Sequence, residues 1–124
     1  MALVLAPVMR ADPLPGQLQQ LARRLAASGS AENLSALTEF ASRSTGTDRG
    51  LAHLAIGMAR YEAKDYATAA ESFASAMGRA AALDDYAAYY RARSLVLDEQ
   101  FDAALAPLRS FVESYPESRF VQPA

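Results

Sequence analysis

The sequence predicts an all-α chain, a right-handed solenoid of antiparallel helix pairs with six full helices and a truncated seventh. Three observations predict it. Apolar residues recur with a helical period from Leu18 to Val112. Alanine dominates an apolar fraction of 52%, which suits closely packed helices better than sheets. A helix-pair pattern also occurs twice, with Ala69 and Ala104 at corresponding positions 35 residues apart. The first copy reads Gly57, Tyr61, Asp65-Tyr66, Ala69, Phe73, Ala76. The second reads Ala92, Val96, Gln100-Phe101, Ala104, Leu108, Phe111, Pro116.

Taken in order, residues 1–13 are expected to be a disordered or loosely packed tail. The run Ala2–Met9 is apolar, but Pro7 interrupts it and no basic residue precedes it. A secretory-signal remnant is the alternative reading. The run is too short to span a membrane. A first helix starts near Pro15, carries Leu18, Leu21, Ala22 and Leu25, and ends with Gly29 as its cap. Ser30 caps a second helix with Leu34, Leu37 and Phe40 on one side. Ala36 and Phe40 repeat the Ala-x-x-x-Phe spacing, so residues 14–48 read as a degenerate first unit, with Arg24 where a small residue belongs.

Ser42 to Asp48 reads as a polar loop. The second unit, 49–83, holds helices over Arg49–Ala63 and Tyr66–Ala80. Asp65 is placed to cap the latter and to suit its dipole. The third unit, 84–117, holds helices over Asp85–Leu97 and Phe101–Ser114. Pro107 removes a backbone bond to Ala103 and should kink the last helix or delay its start. Pro116 ends that helix. Ser118 would cap the truncated one, so the repeat domain runs 14–124. Within the second unit, Gly57 and Ala69 are small residues on facing helices, with Tyr61, Tyr66 and Phe73 filling the space around their contact.

Two copies at this spacing resemble a tetratricopeptide array, whose members hold partners or position other domains. A narrower resemblance covers Leu51 to Ala124. Asp85-Tyr86-Ala87-Ala88-Tyr89-Tyr90-Arg91-Ala92, the ending Phe111 to Ser118, and Ile56 to Glu62 followed by Asp65 to Ala69 resemble the helical N-terminal region of bacterial soluble lytic transglycosylases. The ending is also similar to periplasmic repeat proteins of outer-membrane assembly and cell division. The resemblance implies an extracytoplasmic cell-wall protein; a cytoplasmic repeat adaptor is the alternative. The family's catalytic glutamate stands in a Glu-Ser pair. Glu71-Ser72, Glu113-Ser114 and Glu117-Ser118 lie inside the repeat pattern without that site's surroundings, so no catalytic residue carries over.

A net charge of −2 gives no basic field for nucleic acid. The absence of cysteine excludes disulfides and thiolate metal sites. His53, the only histidine, has no second metal ligand beside it, and Asp84-Asp85 fits a helix N-terminus better than a carboxylate pair. The expected function is therefore a non-catalytic interaction or scaffold module, without cofactor or metal, serving a protein or peptide partner or a linked downstream domain. The alternative is the helical arm of a lytic transglycosylase. By repeat register a concave groove would present Leu51, Leu54, Met58, Tyr61 and Glu62 from one helix and Tyr86, Tyr89 and Arg93 from the next. Tyr61, Tyr89 and Arg93 are expected to be at least partly exposed there. Tyr, Met and Arg suit protein recognition.

Overall fold

Six α-helices follow one another in a computed structural model of the protein, which describes residues 15–79, 83–116 and 118. They are α1 (Pro15–Ala27), α2 (Ala31–Arg43), α3 (Gly46–Glu62), α4 (Tyr66–Ala76), α5 (Asp84–Leu97) and α6 (Phe101–Ser114). No strand occurs among the described residues, so the chain is all-α. The expected N-terminal tail and truncated seventh helix lie outside them.

Two turns have the same backbone geometry. After α3, Lys64 takes a positive φ of 65°. Its N–H donates to Tyr61 O, and the Asp65 N–H donates to Arg60 O. After α5, Glu99 takes a φ of 61°, its N–H donates to Val96 O, and the Gln100 N–H donates to Leu95 O. Each turn satisfies the last helical carbonyls in the six-to-one and five-to-two pattern of a Schellman motif. The two are the same turn, 35 residues apart. In each, a residue other than glycine takes the left-handed conformation.

Other boundaries differ from the sequence expectation. Gly29 is not a left-handed cap. The Asn33 side chain bonds Arg24 O (3.2 Å) and Ser28 O (3.0 Å), supplying from α2 the donors that the end of α1 lacks. Ser30 does cap α2, accepting from the Asn33 N–H at 3.2 Å. The polar stretch expected as a loop shrinks to Ser44-Thr45. Ser44 folds back on the end of α2, its hydroxyl donating to Phe40 O at 2.7 Å, and α3 starts at once with Asp48 in its first turn. Asp65 precedes α4, but its carboxylate makes no capping bond; its carbonyl accepts from Ala69 N–H and Thr68 Oγ1 instead. Helix α4 stops at Ala76, because Met77 turns extended and Gly78 takes a φ of 80°. The Gly78 N–H then donates to Asp84 Oδ1 (2.9 Å), tying this exit to the start of α5. Pro107 lies inside α6, which nonetheless begins at Phe101, so its start is not delayed.

Each helix packs on the next, and α1 touches both α2 and α3. Leu25, Leu37, Phe40, Ala41, Ala52 and Ile56 form the core of the first three helices. Further along, Ala70, Leu95 and Ala104 make one cluster, and Ala88, Tyr89 and Phe111 another. Phe40, Phe73, Phe111, Leu37 and Ile56 are each under 2% exposed. Each such burial stabilises by about 1.5–3 kcal/mol. At the interface of α3 and α4, Gly57 stands directly against Phe73, one of the rings expected around this contact. A Cβ on Gly57 would stand 2.8 Å from Cε1 and 2.9 Å from Cδ1 of Phe73. The missing side chain makes room for a ring. Ala69, fully buried, serves the same interface.

Candidate functional site

The candidate residues divide into two adjoining groups. Leu51, Leu54 and Met58 recur along one side of α3 at the three- and four-residue spacing of neighbours on a helix. With Ala55, and with Leu83 and Tyr86 at the start of α5, they line a cavity of about 290 Å³. Its lining side chains are apolar apart from the Tyr86 phenol. Leu51, Leu54, Met58 and Tyr86 are all partly exposed there.

The second group is polar. Arg93, exposed on α5, donates from Nε to the Tyr61 hydroxyl and from a terminal nitrogen to the Tyr89 hydroxyl at 2.9 Å. These two bonds, Tyr89's first and then Tyr61's, hold the guanidinium pKa above its usual value. Arg93 therefore spans α3 and α5 and fixes them against each other. Tyr61 is partly exposed as expected, whereas Tyr89 is buried, at 9% exposure, which corrects its expected place on an open surface. Its ring packs on Phe111 of α6 with centroids 5.9 Å apart, because α6 covers that side of α5. Glu62 is exposed at the end of α3 and lines neither group.

Tyr90, which was not expected in the groove, is the hub that joins the two groups. Its ring meets Tyr86 at 5.0 Å, Tyr89 at 5.1 Å, Tyr61 at 5.2 Å and Phe73 at 5.8 Å. Edge-on and tilted pairs of this kind are each worth about 0.5–1.5 kcal/mol beyond their burial. Burial, and then the neighbouring Tyr86, push the Tyr90 phenol pKa up. The signal that could have found it is the four-residue step from Tyr86, which puts both on one side of α5. Tyr66 joins through Tyr61 at 5.6 Å, and Tyr115 through Phe111 at 5.6 Å. All six tyrosines of the chain thus belong to one web.

Chemically, the surface offers an apolar slot beside a guanidinium already held by two phenols. Among the described residues no group of three or more His, Asp or Glu could hold a metal ion, and no helix is long and apolar enough to cross a membrane. No protein-family model, no curated protein and no solved structure matches this chain.

Proposed function

We propose that the chain is a non-catalytic helical-repeat module, a right-handed solenoid of antiparallel pairs, that binds a protein or peptide partner through the slot between α3 and α5. The observation that carries the reading is the coincidence of a repeated turn with an open apolar slot. Lys64 and Glu99 close equivalent helices in the same way, and those two helices supply the walls lined by Leu51, Leu54, Met58 and Tyr86. Equivalent helices side by side give an extended surface of the kind repeat proteins use for binding. The slot's size and apolar lining suit one bulky apolar side chain of a partner, with Arg93 and Tyr61 at its polar edge.

The extracytoplasmic, cell-wall setting rests on the three stretches that resemble lytic transglycosylases. Two of them touch each other here: Ser118 Oγ donates to Asp85 Oδ2 at 2.8 Å. Selection of peptides from a displayed random library against the purified chain tests the binding reading. Enriched peptides should carry a large apolar residue and lose binding to Met58→Glu and Leu54→Glu. Enrichment of peptides that bind both variants unchanged refutes the slot. The enzyme alternative is tested by incubating the chain with purified peptidoglycan. No muropeptides should be released; release abolished by changing a single carboxylate would overturn the non-catalytic reading.

A further inference from the structure

Cationic side chains gather along a different side of α3. Arg49, His53 and Arg60 fall within about 40° of one another around the helix. To one side of them, Ala52 and Ile56 enter the core shared with α1 and α2. To the other, Gly57 meets Phe73 of α4. The stripe therefore lies in the furrow between α2 and α4. A terminal nitrogen of Arg60 donates to Ser72 Oγ of α4 at 2.7 Å. With Gly57 on Phe73 and Arg60 on Ser72, the far end of α4 comes level with the start of α3. That brings Arg79, just past α4, toward Arg49 and His53.

Three features mark this furrow as more than a solvated face. Arg49 Nε is shut off from water with no hydrogen-bond partner among the described residues, which costs free energy. No carboxylate accepts a hydrogen bond from any of the four groups among the described residues. Among the described residues, Arg60 bonds the Ser72 hydroxyl and Arg79 the Ser75 carbonyl. The half-buried His53 is held below its usual pKa of 6.5 by burial and then by Arg49, Arg79 and Arg60, so the charges acting on it are all positive. The second repeat also manages without such a cluster. Thirty-five residues on, the equivalent positions hold Asp84, Ala88, Leu95 and Ser114, and Ala88 and Leu95 are buried. The helix pair does not need cations there.

We propose that Arg49, His53 and Arg79 form a binding site for a tetrahedral oxyanion of the phosphate and sulfate class. Arg60, held on Ser72 about 16 Å along α3 from Arg49, adds to the positive field. Guanidinium groups meet such oxygens two at a time. A bound dianion would give Arg49 Nε its missing acceptor and offset the repulsion among the four groups. In a chain of net charge −2 the site is a local field opposite in sign to the whole.

His53 is the only histidine, so its imidazole proton signals report on this furrow alone. The experiment titrates those signals by NMR in sodium sulfate and in sodium chloride at equal ionic strength. Sulfate, doubly charged throughout, should raise the His53 midpoint saturably above its value in chloride. Arg79→Gln alters an exposed residue outside the helices, and Arg49→Gln removes the unpartnered donor; each should lose most of the sulfate-specific shift, whereas Arg23→Gln on α1 should keep it. Inorganic phosphate compared with O-phosphoserine then tells a free ion from an ester by the tighter shift. Equal midpoints in sulfate and chloride, or a full shift retained in both furrow variants, would overturn the proposal.

Discussion

Replacing Gly57 with alanine puts two opposing effects in direct competition. In an exposed helix the change would stabilise by about 1 kcal/mol, because glycine has more backbone freedom to lose. Here the new Cβ would lie 2.8–3.1 Å from three ring atoms of Phe73. That ring is fully buried and borders Tyr90 at 5.8 Å, so it has little room to retreat. Overpacking of this sort costs about 1–3 kcal/mol. The overlap should win, leaving a net loss of about 1 kcal/mol, or roughly 4 °C in Tm for a chain of this size. Urea unfolding followed by far-UV circular dichroism measures it. Phe73→Leu removes the obstructing atoms. In that background Gly57→Ala should stop destabilising, giving a coupling of about 0.5–3 kcal/mol between the two sites. A Gly57→Ala chain more stable than the parent, or strict additivity of the two changes, would mean that the ring does not lie against the glycine.

Other outcomes follow from the same structure. Ser94 is fully buried with its hydroxyl unpaired among the described residues, so Ser94→Ala should stabilise by up to about 1 kcal/mol and raise the urea midpoint; a clear loss would show that the hydroxyl has a partner. Lys64 and Glu99 hold left-handed backbone at φ values of 65° and 61°. Glycine at either should stabilise by a few tenths to about 1 kcal/mol, and a loss at both would contradict the turn geometry. Burial raises the Tyr90 and Tyr115 phenol pKa values, Tyr90 helped by Tyr86 and Tyr115 by Asp84 and Asp85. The neutral phenols therefore support the fold fully below pH 10.0, and this support is lost as pH rises through their folded values. Ultraviolet titration should find some tyrosines ionising above that value, with the unfolding midpoint falling over the same range. Uniform ionisation of all tyrosines at their ordinary pKa would refute this.

Where the sequence states a local rule that tertiary packing also obeys, its reading held. Helix α6 begins at Phe101 and ends at Ser114 as expected, because the turn before it and Pro116 after it both act within a few residues. Ser30 caps α2 for the same reason. Failures occur where a distant group supplies what a neighbour was expected to supply. Gly29 is relieved of capping by Asn33, from the next helix. Asp65 is drawn into the Schellman turn of α3, with φ and ψ of −92° and 70°, so its carboxylate does not reach the first turn of α4. In the candidate surface, repeat register placed Leu51, Leu54, Met58 and Tyr86 on one cavity. It could not tell that α6 buries Tyr89, since register gives the side of a helix and not what stands against it. Nor did it give Tyr90 its central place, which comes from rings on three different elements.

The tyrosine web also decides what an optical experiment on this protein can see. The chain has no tryptophan, and every tyrosine lies between Tyr61 and Tyr115. Near-ultraviolet ellipticity and intrinsic emission therefore come chiefly from the end of α3 onward, while far-ultraviolet ellipticity records all six helices. Helices α1 and α2, whose core is built on Leu25, Leu37 and Phe40, contribute almost nothing to the first signal. Two curves recorded on one sample during denaturation amount to a comparison between the N-terminal third and the remainder. Coincident curves would mean that the two parts melt as one cooperative unit, and a lag between them would measure how loosely they are joined.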